Sequence, residues 1–227
     1  MKIITYLAIF IKLSCITSIM AQEDKNWDNQ LFAGNKVVYG QNKWKYSGEL
    51  QFRVKDNMQS LDNWFLEGVA SYLPSKYWEV VPDFRFSVKP SSTEYRPGLG
   101  ILFKLLSPKW QLVNQVKYQA DISSKGTTGH GLRHVIFLNR ILTKKFVPNI
   151  AAGYFYRWKE GFSDFEFVRF GAGLNIFLDP IHTLTLSYFL GVANQGNRWT
   201  WSGIPLIQLT INIRKDWIYL PAKYINF

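Results

Sequence analysis

The residues best suited to acid–base or metal chemistry in this sequence are three histidines, His130, His134 and His182. His130 and His134 are four positions apart, so they would share one face of a β-strand. A zinc site needs a third ligand at a suitable spacing, and a nucleophilic serine needs a sharp strand-to-helix turn that neither Ser163 nor Ser202 has. We therefore predict no catalytic residue, no metal ligand and no cofactor.

A larger group of chemically capable residues consists of acids and bases that alternate with apolar residues. Such side chains can pair with one another and fill a barrel interior, or they can line a basic passage that favours anions. Twelve of them are predicted to face the lumen, with bases in the majority: Lys45, Glu49, Arg53, Glu79, Asp83, Arg85, Arg96, Lys104, Lys117, Glu166, Arg169 and Arg214.

The alternation itself indicates β-strands. In Trp44–Lys55 (WKYSGELQFRVK), apolar and polar residues alternate almost without error, which is the period of a strand with two different faces. The same period recurs in residues 78–89, 95–105, 110–122, 166–178, 182–193 and 204–214, and with more noise in 61–73, 131–142 and 147–158. Strands of soluble proteins have about five or six residues and those of membrane barrels about ten. The length of the segments therefore favours a membrane barrel.

The connections and the tryptophans favour the same class. Short turns at 74–76, 107–109, 143–145 and 179–180 alternate with longer polar connections at 123–129 and 194–198, as at the two ends of an outer-membrane barrel. Six tryptophans near strand ends are predicted to be interface aromatics: Trp44, Trp78, Trp110, Trp158, Trp199 and Trp201. A soluble lipocalin-like barrel, the alternative, would bury most of its tryptophans in mid-strand.

We predict an all-β fold, an antiparallel transmembrane outer-membrane β-barrel of about 10 strands with both termini at the periplasmic end. Residues 27–39 and 217–227 are also strand-like, and the barrel has about 12 strands if both terminal segments join. Phe227, with Ile225 two positions earlier, resembles the closing aromatic of outer-membrane barrels.

The N-terminus has the layout of a secretory signal peptide. In residues 1–21, Lys2 precedes an apolar stretch that contains Cys15 and ends in small residues; a transmembrane anchor is the alternative. We expect 1–21 to be removed and 22–227 to form a single barrel domain in the outer membrane of a Gram-negative bacterium. The mature chain would then have no cysteine, and its net charge would be about +9 against +11 for the whole sequence. The 47% hydrophobic and 17% aromatic content argues against disorder.

Several of these residues also carry a resemblance. The stretch through Trp27, the Lys43-Trp44 turn followed by Glu49 and Arg53, and the segment EFVRFG at 166–171 resemble a family of Gram-negative outer-membrane barrel proteins known only as a domain of unknown function. The resemblance covers most of the mature chain. It implies the barrel fold and the outer-membrane location, and it implies no activity.

The function expected from the sequence is that of a narrow or side-chain-filled barrel that serves as a scaffold or accessory subunit. The first alternative is a small, anion-preferring, porin-like channel, and the second is an outer-membrane lipid-modifying enzyme. We expect no enzyme activity, and as partners outer-membrane lipid, lipopolysaccharide and other outer-membrane proteins. Nucleic acid is excluded as a partner because the bases are spread through the chain instead of forming one patch.

Overall fold

A computed structural model describes residues 26–194, 196 and 198–224 of the protein, and in this part of the chain the regular structure is entirely β. The predicted signal peptide with Cys15, and the predicted closing residues Ile225 and Phe227, lie outside the described residues. The strands are β1 (Trp27–Asn29), β2 (Leu31–Asn42), β3 (Trp44–Lys55), β4 (Ser60–Tyr72), β5 (Trp78–Lys89), β6 (Ser92–Leu106), β7 (Trp110–Ser123), β8 (Thr128–Arg140), β9 (Phe146–Lys159), β10 (Phe162–Phe177), β11 (His182–Asn194) and β12 (Trp199–Trp217).

Strands β2 to β12 form one closed barrel of eleven strands. Consecutive strands pair antiparallel, and β12 closes the sheet by pairing parallel with β2. The short strand β1 also pairs parallel with β12, and Trp27 opposite Trp201 has the same sequence offset as Phe32 opposite Leu206. β1 and β2 are therefore one strand interrupted at Gln30. The predicted N-terminal segment joins the barrel, and the strand number lies between the predicted 10 and 12.

The C-terminal segment does not join the barrel wall: Trp217 ends β12, and the described residues 218–224 of the strand-like segment 217–227 form no strand. The backbone hydrogen bonds between β12 and β2 end where β2 turns into β3 after Asn42. The last of them is donated by the N–H of Ile218 to the Asn42 carbonyl (2.9 Å). Past this point neither neighbour of β12 offers a partner. The chain folds into the barrel lumen instead, as described below.

An odd number of strands has a topological consequence. Because β2 and β12 are parallel, β2 begins at one end of the barrel and β12 ends at the other, so the prediction that both termini lie at the same end is wrong. The predicted difference in loop length is also not found. The connections have one to five residues at the end where β12 finishes and two to four at the other end. β7 and β8 extend through most of the predicted 123–129 loop and leave four residues between them.

The alternation determines which side chains face which way. In β5, Trp78 and Phe84 are about half exposed on the outer surface, whereas Glu79 and Arg85, the residues that follow each of them, are buried in the lumen. The six predicted interface tryptophans are between 37% and 48% exposed, three near each end. An apolar outside and a polar inside are the arrangement of a transmembrane barrel and the reverse of a lipocalin-like one.

No α-helix in the described part of the chain is long and apolar enough to cross a membrane.

Candidate functional site: the barrel lumen

The structure places eleven of the twelve charged residues predicted to face the lumen inside the barrel. Most are almost fully buried, and the partly exposed ones line an open cavity or lie in ion pairs: Lys45, Glu49, Arg53, Glu79, Asp83, Arg85, Arg96, Lys104, Lys117, Glu166 and Arg169. Ten of them face inward because alternation from the outward residues of their strands requires it. Glu166 lines the cavity next to the inward Phe167 because a β-bulge between Phe165 and Phe167 interrupts the alternation.

Arg214 is the exception, and its prediction is wrong. A β-bulge between Asn212 and Arg214 inserts one residue opposite β2, so that Arg214 aligns with the outward Tyr39 and not with the buried Gly40. Its side chain is 43% exposed, bonds to the Tyr39 hydroxyl (3.3 Å) and pairs with Asp216 (2.6 Å). The bulge shifts the alternation of inward and outward residues in β12 by one position, and the sequence pattern alone does not reveal the bulge.

Lumen residues that the predicted set omits include two arginines, Arg133 on β8 and Arg157 on β9. Both belong to segments in which small or polar residues blur the alternation. The sequence could have indicated an inward Arg133, because this residue lies between the outward Leu132 and His134 and two positions before the inward Val135. Phe137 continues the same inward face.

The C-terminal tail (residues 218–224) occupies the lumen at the end of the barrel where β12 finishes, which we call the tail end. Its backbone is held by buried charged side chains of the wall. Lys104 Nζ donates to the Leu220 carbonyl and Lys45 Nζ to the Ala222 carbonyl, both at 2.7 Å. The Ala222 N–H donates to Glu79, which also pairs with Lys104 at 2.8 Å.

Side chains of the tail extend these contacts further into the barrel. The Tyr224 hydroxyl donates to Asp83 Oδ2 at 2.6 Å, and Asp83 Oδ1 accepts from Lys117 Nζ at the same distance. A β-carbon on Gly100 would lie 2.8 Å from the Tyr224 hydroxyl, so the absence of a side chain at Gly100 leaves room for the tyrosine. An apolar layer seals the surroundings of Ala222, and its members are each at most 1% exposed: Val81, Leu102, Val113, Val135 and Phe137. The tail and this layer occupy the lumen at the tail end.

The other half of the lumen is an open cavity of about 1170 Å³ at the opposite, or cavity, end. Ten basic and six acidic residues line this lumen cavity. Part of the charge is neutralised on the wall, where Arg157 pairs with Asp121 (2.6 Å) and Glu166 (2.7 Å), and Arg96 pairs with Glu94 (2.7 Å) and with Asp121. The excess of bases remains, so the cavity has a positive potential.

A chain of alternating arginine and phenylalanine side chains forms the floor of the lumen cavity. We call it the arginine–phenylalanine belt, and it comprises Arg85, Phe65, Arg53, Phe32, Arg169, Phe167, Arg133, Phe155 and Arg157. Each ring centroid lies between 3.8 and 5.8 Å from the Cζ atoms of two arginines. Contacts of this kind hold guanidinium planes in place and are stronger where water is excluded.

The three histidines are not part of the lumen site. His130 stacks against Tyr118 and Trp158 on the outer surface and bonds to the Tyr118 hydroxyl (2.7 Å). His134 bonds to Asn114 (2.9 Å), and His182 bonds to Asp179 (2.8 Å) in the turn before β11. Among the described residues no group of three or more histidine, cysteine or acidic side chains could hold a metal ion.

A comparison with solved structures finds proteins that are similar to this chain at low sequence identity. The β domain of the Bordetella autotransporter BrkA is 13% identical, with a TM-score of 0.51 over 73% of this chain and 82% of that one. The KdgM porin in complex with disordered oligogalacturonate is 16% identical (TM-score 0.49; 77% of this chain and 92% of that one), and the NanC porin is 13% identical (TM-score 0.49; 72% and 86%). At these identities the likeness concerns the fold alone.

A comparison with curated proteins finds no significant match. The family model described as "Protein of unknown function (DUF2490)" matches residues 29–202, which include β2 to β11, the last residue of β1 and the first four residues of β12. The chain is therefore a member of the DUF2490 family, and its structure is a closed outer-membrane-type β-barrel.

Proposed function

We propose that the protein is an outer-membrane barrel that its own C-terminal tail keeps closed, and that withdrawal of the tail opens a narrow, anion-preferring channel. The observation that carries the proposal is the seating of residues 218–224 in the lumen by hydrogen bonds from Lys45, Lys104 and Tyr224. The outer surface supports the membrane location, because apolar residues cover it and tryptophans lie near both ends. Lipid and lipopolysaccharide are the partners such a surface would contact.

The closed state follows from how the tail is bonded. Lys45 and Lys104 are buried, and a buried ammonium group is costly unless polar partners surround it. The carbonyls of Leu220 and Ala222 supply such partners. The tail therefore satisfies wall charges that an empty lumen would leave to water alone, which favours the seated tail.

The anion preference follows from charge. The lumen cavity has four more bases than acids among its lining residues. When the tail leaves, Lys45 loses its carbonyl acceptor and becomes an additional cation on the path, whereas Lys104 stays paired with Glu79. Fixed charges in a low-dielectric wall act strongly on passing ions, so anions have the lower barrier.

The proposal combines two functions expected from the sequence, the filled barrel and the anion channel. A barrel closed permanently, as a scaffold or accessory subunit, is the second candidate, and the sealing apolar layer around Ala222 favours it. The enzyme alternative gains no support from the histidines, all of which lie outside the lumen. That the protein has no enzyme activity stays a prediction.

Planar-bilayer recording of the refolded protein tests the proposal. We compare the full chain with a variant lacking residues 218–227 and with the full-length variant Ala222→Trp, whose indole has no space at a position 2% exposed. Ala222→Gly is the matched control. Heat modifiability on a gel establishes that each barrel has folded.

We expect the wild type and Ala222→Gly to be closed most of the time. The truncated chain and Ala222→Trp should conduct, with a reversal potential in a KCl gradient that indicates chloride preference. Folded tail variants that stay silent would support the permanent scaffold and refute the channel. A cation-selective current would refute the anion preference.

A further inference from the structure

We infer that the arginine–phenylalanine belt is a binding site for a compact, multivalent oxyanion that enters from the cavity end. The inference concerns the same lumen as the proposed function and rests on its closed state, but it does not require conduction. Oxyanion here means a ligand with several phosphate or carboxylate groups, whose oxygens accept hydrogen bonds from guanidinium groups.

Access is the first requirement, and the lumen cavity meets it. All five arginines of the belt line the cavity, as do three of its four phenylalanines. The cavity volume of about 1170 Å³ exceeds the upper end of the range usual for small-molecule pockets, about 1000 Å³. The floor is closed from below, because Tyr224 and Lys223 of the tail line a void of about 40 Å³ on the far side of Phe32 and Arg169.

Uncompensated charge is the second requirement. The arginines at the two ends of the belt have carboxylate partners in the wall: Arg85 bonds to Glu67 at 3.0 Å, and Arg157 pairs with Asp121 and Glu166. Arg169 has no ion pair with any described residue, and its Nη1 is buried without a hydrogen-bond partner among them. Buried polar groups are normally bonded, so a donor of this kind needs a partner.

Geometry is the third requirement. The Arg53 and Arg169 guanidiniums lie on the same phenyl ring, with Cζ atoms 4.2 and 5.6 Å from the Phe32 centroid. They can therefore be no more than about 10 Å apart. Arg53 is oriented further by donating from Nε to Gln51 Oε1 at 2.8 Å. Two guanidiniums fixed at this separation suit a ligand with more than one anionic group, since each group can meet its own arginine.

The aromatic rings explain why the site uses phenylalanine beside arginine. A carboxylate at the place of each ring would neutralise the belt, whereas a ring orients the guanidinium and leaves its charge available. The rings therefore orient the guanidiniums for an anion, and Arg169 supplies the donor that is left to bind it. Its ligand should gain from both charge and the exclusion of water at the cavity floor.

Isothermal titration calorimetry on the refolded full chain in detergent tests the inference, with tripolyphosphate and citrate as the two probes. The variants are Arg169→Ala, Arg169→Lys and, as matched control, Arg198→Ala. Arg198 lines the same cavity, but it is exposed and lies outside the belt. Arg169→Lys keeps the charge and loses the planar donor pair, so it also reports on the site if Arg169→Ala fails to fold.

We expect saturable binding of at least one probe to the wild type, a loss of affinity of about tenfold or more for Arg169→Ala, and a smaller loss for Arg169→Lys. Arg198→Ala should stay within about twofold of the wild type. Preference between the probes distinguishes phosphate from carboxylate chemistry. No saturable binding, or an equal loss in the Arg169 and Arg198 variants, would overturn the site. Binding by a barrel that remains silent without its tail would sustain this inference and refute the channel.

Discussion

The hydroxyl of Tyr224 offers the cleanest perturbation of the closed state. The side chain is 5% exposed, and its hydroxyl donates to Asp83 Oδ2 at 2.6 Å. Tyr224→Phe removes this hydrogen bond and keeps the ring, so apolar burial is almost unchanged. Asp83 remains paired with Lys117, which limits the disturbance of the wall. The change in the seating of the tail is therefore the free energy of one hydrogen bond.

The magnitude follows from the charge of the acceptor. A hydrogen bond to an ionised group contributes about 1.5–3 kcal/mol, and each 1.4 kcal/mol changes an equilibrium constant tenfold. The ratio of withdrawn to seated tail should therefore rise by about 10- to 150-fold in Tyr224→Phe. If the tail is the gate, the open probability of single barrels in a planar bilayer rises by the same factor until it saturates.

Tyr219→Phe is the matched control. It makes the same chemical change in the same tail, and the Tyr219 hydroxyl has no hydrogen bond to any other described residue. Its open probability should equal that of the wild type. An unchanged open probability in a folded, heat-modifiable Tyr224→Phe barrel would refute the reasoning. An equal rise in both variants would show that the contact with Asp83 is not what holds the tail.

A second perturbation acts on the same contact from the barrel wall. Gly100→Val places a side chain within 3 Å of the Tyr224 ring and should push the tyrosine from its position, again raising the open probability. Gly68→Val is its control, because a β-carbon there meets no atom within 4 Å. If both valine variants open equally, or neither opens, Gly100 does not act through the tail.

Three further outcomes are expected. Glu67→Ala removes the carboxylate partner of Arg85 from a pair in which both side chains are 2% exposed, so it should lower the free energy of unfolding in urea by about 3–5 kcal/mol. Asp62→Ala, at an exposed ion pair, should lower it by at most about 1 kcal/mol. Equal losses in the two variants would contradict the argument. Hydrogen bonds from the backbone N–H of His182 and, with a smaller effect, from its ring lower the pKa of Asp179 to about 2. The contribution of Asp179 to stability is therefore complete above pH 3.8 and is lost as the pH falls through 2. A titration of its carboxyl group by NMR with a midpoint near 3.8 would contradict this. Replacing all three histidines by alanine should leave conductance and ion selectivity unchanged in bilayers, since their rings lie outside the lumen.

The sequence alone determined the class of fold and most of the lumen. Alternation with period two makes one face of each strand apolar and the other polar, and long segments of this kind are typical of transmembrane barrels. The same period placed Glu79, Asp83 and Arg85 on one face of β5, and these residues lie in the lumen together. Local pattern sufficed because the direction of a strand side chain depends on its position within its own strand.

Tertiary structure decided the number of strands, the direction of Arg214 and the closing of the lumen. A terminal segment can join a barrel only if a neighbouring strand has an unpaired edge. Because β2 pairs with the free edge of β12, no such edge is left for the C-terminal segment. The bulge at Asn212 reversed the period for Arg214 because pairing with a neighbour, which no local pattern encodes, set the register. The tail was strand-like in sequence. It lies in the lumen because buried Lys45 and Lys104, distant in the chain, need the carbonyl oxygens that its backbone supplies.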